Sequence, residues 1–327
     1  MFKKLNPLVL VALLAVLIIA VVVVLRMDAR KQKGSFLNEL INADREKTTS
    51  IIVIPKGIAE DAITLEKNED RWMVGSHGKM YQANREHIAR IFESLSPMIP
   101  EQLVSRSKDS WPEYEIEDVS GTRVKIYEGK RLSGDFTYGK LSFQQQMMQG
   151  QQRPKISTFV RLHDQEDVYS VDGFLGSAFP AITKQYRDQT VISVNKDDIS
   201  KISMQGAGEY NYTISREGTN WLLNGNQLDS VMVEHVLNSI SNANSSGFVE
   251  QESEGLLSVP SHQLTVERID AIPVEIKAYP ADSTHQYFIT SSQNPGAVFS
   301  GSQNELFESI FYRVTYFSGK DASDDSL

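Results

Sequence analysis

Two stretches of the chain alternate, turn and open onto a tryptophan in the same way. Ile63-Thr64-Leu65-Glu66-Lys67-Asn68-Glu69-Asp70-Arg71-Trp72 returns as Tyr212-Thr213-Ile214-Ser215-Arg216-Glu217-Gly218-Thr219-Asn220-Trp221. Each reads as a strand, a polar turn and a second strand opening at the Trp. Upstream, Ile52-Val53-Ile54 and Lys201-Ile202-Ser203 stand at equal spacing from their Trp. Downstream, Ile88, Ile91, Phe92 and Leu95, and then Val233, Val236, Leu237 and Ile240, have the i, i+3, i+4, i+7 spacing of one apolar helix stripe. The Trp-to-helix connection is about four residues shorter in the second copy, a change that loops tolerate. Glu86-His87 and Glu234-His235 offer another register, but the apolar one fills four core positions, and it places both His beside Glu on the water side. A repeat of this kind sets the architecture.

The remaining pattern fills in around this repeat. Tyr114–Tyr127 predicts a turn and a strand with Val124 and Ile126 on one face. Leu132–Gly139, Thr158–Leu162 and Asp167–Val171 predict further strands, with a Gln- and Met-rich hairpin tip or flexible loop at Gln144–Gln152. In the second half Gln263–Arg268, Val274–Tyr279, Gln286–Thr290 and Ala297–Ser300 predict strands, and Leu306–Phe311 a short helix. The expected fold class is α+β: an N-terminal transmembrane helix, then two tandem repeated units, each a mostly antiparallel sheet with a packed helix. The boundaries are a transmembrane signal anchor at 1–27, a juxtamembrane stalk at 28–48, repeat units at 49–193 and 194–317, and an acidic tail at 318–327. Within the stalk, Phe36, Leu37, Leu40 and Ile41 take helical positions.

The anchor follows from hydropathy. Leu5–Leu25 carries no charge, and a run of about 20 residues spans the hydrocarbon core. Its exit, Val24-Leu25-Arg26-Met27-Asp28, offers no small-residue cleavage site, so the bilayer is an expected partner through residues 5–25. The formal net charge is -9. Residues 1–33 hold six basic side chains and one acidic, which leaves the remainder strongly acidic and argues against nucleic acid. Flanking charge slightly favours a cytoplasmic soluble region, although long domains translocate largely regardless of it.

Candidate chemistry is sparse. With no cysteine, thiolate catalysis, disulfides and Cys-based zinc sites are excluded. The six His show no metal spacing, and Gly-x-Ser-x-Gly is missing. Gly134–Leu141 has phosphate-loop glycine spacing, but Leu141 replaces the Ser or Thr and the segment alternates as a strand. No catalytic residue, cofactor, metal ligand or small-molecule substrate is identified. Trp72 and Trp221 are structural repeat markers, read as hairpin rings packing on a helix, with a pair of ligand-stacking platforms as the alternative. Met147 and Met148 mark a partner-contact loop, because Met suits adaptable surfaces, with a plain mobile loop as the alternative.

On these residues the chain resembles the domain of unknown function 4340 family of bacterial membrane-anchored proteins. The matching stretches are the terminal anchor, both Trp-hairpin units, Tyr114–Tyr127, Phe159-Val160-Arg161, Val168–Leu175, Tyr186-Arg187-Asp188 and Gly255–Pro260. Glu115 departs from the family, which often has Gly in Tyr-Gly-Leu, and the departure bears on the local turn. The resemblance implies a subunit found beside ABC-type transporter components linked to gliding motility or export. It also implies a single-pass protein of the bacterial inner membrane with its C-terminal region outside the cytoplasm. The expected function is a non-catalytic accessory protein of such a transporter or its auxiliary subunits. The alternative is a cell-envelope hydrolase or glycan-binding protein with a dispersed active site.

Overall fold

The structure, a computed structural model, describes residues 37–57, 61–76, 78–148, 151–250, 257, 259–281 and 284–318, without the side chains of 146–148 and 151–153. The predicted span Leu5–Leu25, residues 28–36 of the stalk, nearly all of the tail, His77 and half of Gly255–Pro260 lie outside them. Among the described residues no helix is long and apolar enough to cross a membrane.

The first half contains β1 (Ser50–Ile54), β2 (Ile63–Asn68), β3 (Arg71–Ser76), β4 (Lys79–Gln82), helix α1 (Arg85–Leu95) and β5 (Pro100–Ser105). It continues with α2 (Trp111–Tyr114), β6 (Thr122–Glu128), β7 (Arg131–Met148), β8 (Gln151–Leu162), β9 (Val168–Asp172) and α3 (Leu175–Ala178). The second half contains β10 (Thr190–Ser193), β11 (Ile199–Gln205), β12 (Tyr212–Glu217), β13 (Asn220–Leu223), β14 (Asn226–Gln227), α4 (Ser230–Ser241) and β15 (Asn242–Asn244). It ends with β16 (His262–Arg268), β17 (Ala271–Pro280), β18 (Tyr287–Ser291), β19 (Phe299–Ser300) and α5 (Leu306–Ile310). The fold is α+β and rich in antiparallel sheet.

By contacts the chain divides into two compact units. One holds the described residues up to Ala62 with Arg90–Phe179, the other Ile63–Ala89 with Pro180 onward. In the first unit the strands run β1-β6-β7-β8-β9-β5. Alternation decides which face is buried: Ile51 and Val53 of β1, and Val124 and Ile126 of β6, are wholly buried, while their neighbours are half-buried. Each such aliphatic side chain contributes about 1.5–3 kcal/mol of transfer free energy. Residues 37–48 do not form the expected helix. Leu40 and Ile41 are buried, Ile41 pairs with Met98, and Leu40 N–H donates to Met98 O at 2.8 Å. Their apolar side chains are satisfied by this pairing rather than by a helical stripe.

The second unit holds β4-β3-β2, the two-stranded β10-β15, and an eight-stranded sheet ordered β14-β13-β12-β11-β16-β17-β18-β19. The stripe Val233, Val236, Leu237 and Ile240 of α4 lies in one core cluster with Ile202, Ile214, Leu264, Val266 and Ile276. Asp229 caps α4, its Oδ1 accepting from Val231 N–H at 2.8 Å and Met232 N–H at 3.2 Å, a contribution of about 1 kcal/mol.

Register matches between the two Trp hairpins. Lys67 pairs with Trp72 and Asn68 with Arg71; Arg216 pairs with Trp221 and Glu217 with Asn220. Ala83 N–H donates to Trp72 O at 2.8 Å, and Leu228 N–H to Trp221 O at 2.9 Å. The order β14-β13-β12 matches β4-β3-β2, and β11-β16-β17-β18-β19 matches β1-β6-β7-β8-β9. Ile88, Ile91, Phe92 and Leu95 are all buried, as their spacing predicts. His87, expected at the water side, is buried instead: its ring meets Tyr186 edge-on at 4.8 Å. It widens the apolar stripe by one position, whereas His235 is exposed.

Candidate functional site: a hairpin arm

β7 and β8 outrun their neighbours. β7 pairs with β6 only as far as Tyr138, opposite Thr122, but continues against β8 to Met148, opposite Gln151. β8 in turn pairs with β9 only over Ser157–Val160. From Gln144, opposite Lys155, outward, the two strands form a ribbon that pairs with no third strand among the described residues, while at its root Ile156 O still accepts from Gly173 N–H at 2.9 Å. The Gln-rich stretch expected as a tip or loop is therefore mostly strand. Met147 and Met148 lie at its outer end, opposite Gln152 and Gln151.

The arm has two unlike faces. Phe143 is 69% exposed and sits directly opposite Ile156, also exposed, so the two share one face. On the other face Lys155 Nζ lies 2.5 Å from Glu101, whose second oxygen accepts from Ser157 Oγ at 2.9 Å. The hydrogen bond to Glu101 raises the Lys155 pKa. Pro154 lacks an N–H, which blunts one open edge against uncontrolled pairing.

Where the arm leaves the sheet, the β7–β8 register shifts between Tyr138 and Leu141. Gly139 allows this, since a Cβ there would stand 2.1 Å from Tyr114 O. Glu115, where the resemblance expects Gly, adopts φ 54° and ψ 41°, the left-handed conformation that Gly favours. The turn is thus of the glycine type although the residue is not glycine.

Arg161 braces the same region. It is 1% exposed and stacks over the Trp111 ring at 3.9 Å. Its Nη1 donates to His163 O at 3.1 Å, and its Nη2 to Asp118 Oδ1 at 3.0 Å; Nε and Nη2 both reach Ile116 O at 3.3 Å. In the second unit Arg187 is equally buried, held between the rings of Tyr81 at 3.6 Å and Phe248 at 3.7 Å, with Nη1 donating to Glu250 at 3.1 Å. Burial lowers both guanidinium pKa values, opposed chiefly by Asp118 and Glu250 respectively. Both remain charged, since arginine is effectively always protonated. In the sequence both appear only within the stretches that carry the family resemblance; their apolar neighbours in Phe159-Val160 and Tyr186 are the local cue to burial.

The two Trp diverge. Trp72 is buried at 7% exposure, consistent with packing, while Trp221 is half-buried and lines a groove of about 200 Å³. Among the described residues no group of three or more His, Asp or Glu is placed to hold a metal ion. Gly134–Leu141 lies within β7, as its alternation predicts.

A family model described as Domain of unknown function (DUF4340) matches residues 72–258, more than half of the chain. The chain belongs to the DUF4340 family. No curated protein and no solved structure matches it. The DUF4340 match takes in both Trp, both buried arginines and the whole arm.

Proposed function

We propose that this DUF4340 protein is a non-catalytic, membrane-anchored accessory protein that binds an ABC-type transporter of the gliding or export kind, or its auxiliary subunit, through the β7–β8 arm. The observation that carries the reading is the exposed Phe143–Ile156 pair at the root of a ribbon whose outer part pairs with no third strand among the described residues. Extended ribbons of this kind recruit partners by strand addition, with main-chain hydrogen bonds for affinity and alternate side chains for specificity. The transporter as partner rests on the family resemblance. The anchor at 5–25 rests on hydropathy, and it confines any partner to the membrane plane, raising its effective concentration.

We further infer that the halves are copies of one unit, supported by the equal Trp-hairpin registers and matching strand orders. The soluble region is assigned to the outside of the cytoplasm. A phosphatase fused after Leu327 is then active; an inactive fusion beside an active cytoplasmic reporter reverses the topology.

The arm is tested with a photoreactive phenylalanine derivative at position 143, irradiated in intact cells. The expected result is one dominant adduct containing a transporter subunit, lost when the probe is moved to the polar face at Gln144. Equal labelling from both positions, or adducts with lipid alone, defeats the arm as a specific contact.

A further inference from the structure

We propose that the groove beside Trp221 binds a neutral sugar ring. This goes beyond the arm and does not depend on it. The groove lies between the β12–β13–β14 hairpins and α4, and its volume of about 200 Å³ is below the range of roughly 300–1,000 Å³ for drug-sized ligands, so it suits a single ring.

Three features select the ligand chemistry. The first is the half-exposed indole. A pyranose has an apolar C–H face and a hydroxyl rim, and an indole offers a flat apolar surface with one N–H. Among the described residues no guanidinium or ammonium lies over the Trp221 ring and no group hydrogen-bonds its Nε1. The second is unspent polar capacity around it. The Asp197 carboxylate and the Thr219 hydroxyl make no hydrogen bond with the described residues, and Asn220 and Gln227 share a single long contact of 3.4 Å. Carboxylate and amide groups together accept from and donate to vicinal hydroxyls. The third is charge. The lining holds two cations, Lys196 and Arg216, and two carboxylates, Asp197 and Glu234, so it has no net charge. Lys196 is already bonded to Glu234, and Arg216 is spent on the main chain, donating to Asp197 O at 2.7 Å and Gly218 O at 3.2 Å. Both cations thus already donate hydrogen bonds, which leaves an anionic ligand little beyond the Arg216 Nη2.

The first copy serves as an internal comparison. Trp72 occupies the same hairpin register but is 7% exposed. Thr219 and Asn220 stand where that hairpin has Asp70 and Arg71. The platform is therefore a feature of the second copy alone.

The test uses the full-length protein in a detergent without a sugar headgroup, with maltotriose, cellotriose and chitotriose as separate probes. Saturation-transfer NMR and intrinsic fluorescence read binding. Expected is saturable millimolar binding of at least one trisaccharide, weakened tenfold or more by Trp221→Ala and by Asp197→Ala. Asp197 is exposed, so its variant reports on binding even where Trp221→Ala perturbs folding. Trp111→Phe leaves binding unchanged. Failure of all three sugars to bind, or binding that survives both groove variants, overturns the proposal; so does saturable binding at the groove of short uncharged peptides in preference to the sugars.

Discussion

Trp72→Ala should lower the stability of the protein by about 3–5 kcal/mol, the range for truncating a buried aromatic. Trp221→Ala should cost about 1 kcal/mol, near the centre of the distribution for single substitutions. The two residues occupy the same register, each opposite a basic residue and each accepting a main-chain bond one step before its helix cap. What differs is burial, 7% exposure against half-burial beside a groove. Truncating Trp72 leaves a cavity enclosed by protein, whereas truncating Trp221 widens a space already open to water. Urea unfolding of the full-length protein in detergent, followed by circular dichroism, decides it. Equal losses would mean that exposure does not separate the two rings.

Arg161→Met should cost about 2–4 kcal/mol, combining lost charge-assisted hydrogen bonds with two carbonyls left short of donors. Ile116 O and His163 O both depend on this guanidinium, and the Trp111 ring loses the cation above it. The ion pair itself adds little, because Asp118 is 66% exposed. Asp118→Asn should therefore fall within about 0.5 kcal/mol of the parent. Arg161→Lys should not rescue, since an ammonium cannot span two carbonyls and stack on an indole together. Denaturant midpoints of the three variants separate these contributions. A loss in Asp118→Asn as large as that in Arg161→Met would place the energy in the ion pair.

The parts of the fold with a core face were legible in the sequence. β1, β6 and the two Trp hairpins show period 2, the helices show i, i+3, i+4, i+7, and each stripe residue is buried. The helix register was decided by the same rule, and Glu86-His87 does not align with Glu234-His235. Elements lacking a core face were not legible. Gln144 and Gln145, on opposite faces of the arm, are both exposed, so no alternation marks it, and its polar composition reads equally as a loop. Leu40 and Ile41 fit a helical spacing, but Met98, far along the chain, captures them in extended form. His87 and the two arginines show the remaining limit: a polar side chain is read as exposed unless its ring or guanidinium partners are known. The divergence of Trp72 and Trp221 is likewise a matter of surroundings, since their local sequences are alike.

As proposed, the arm makes a specific contact with a membrane partner. The most direct measurement is recovery of the tagged full-length protein from membranes crosslinked before solubilisation, with mass spectrometry of what comes with it. The parent is compared with a Phe143→Ser, Ile156→Ser double variant. Both residues are exposed, so the variant should keep the parent's unfolding midpoint. ABC-type transporter subunits are expected to co-purify with the parent and to fall at least tenfold in the variant. Unchanged recovery of those subunits by a folded variant, or their repeated absence from the parent, would contradict it.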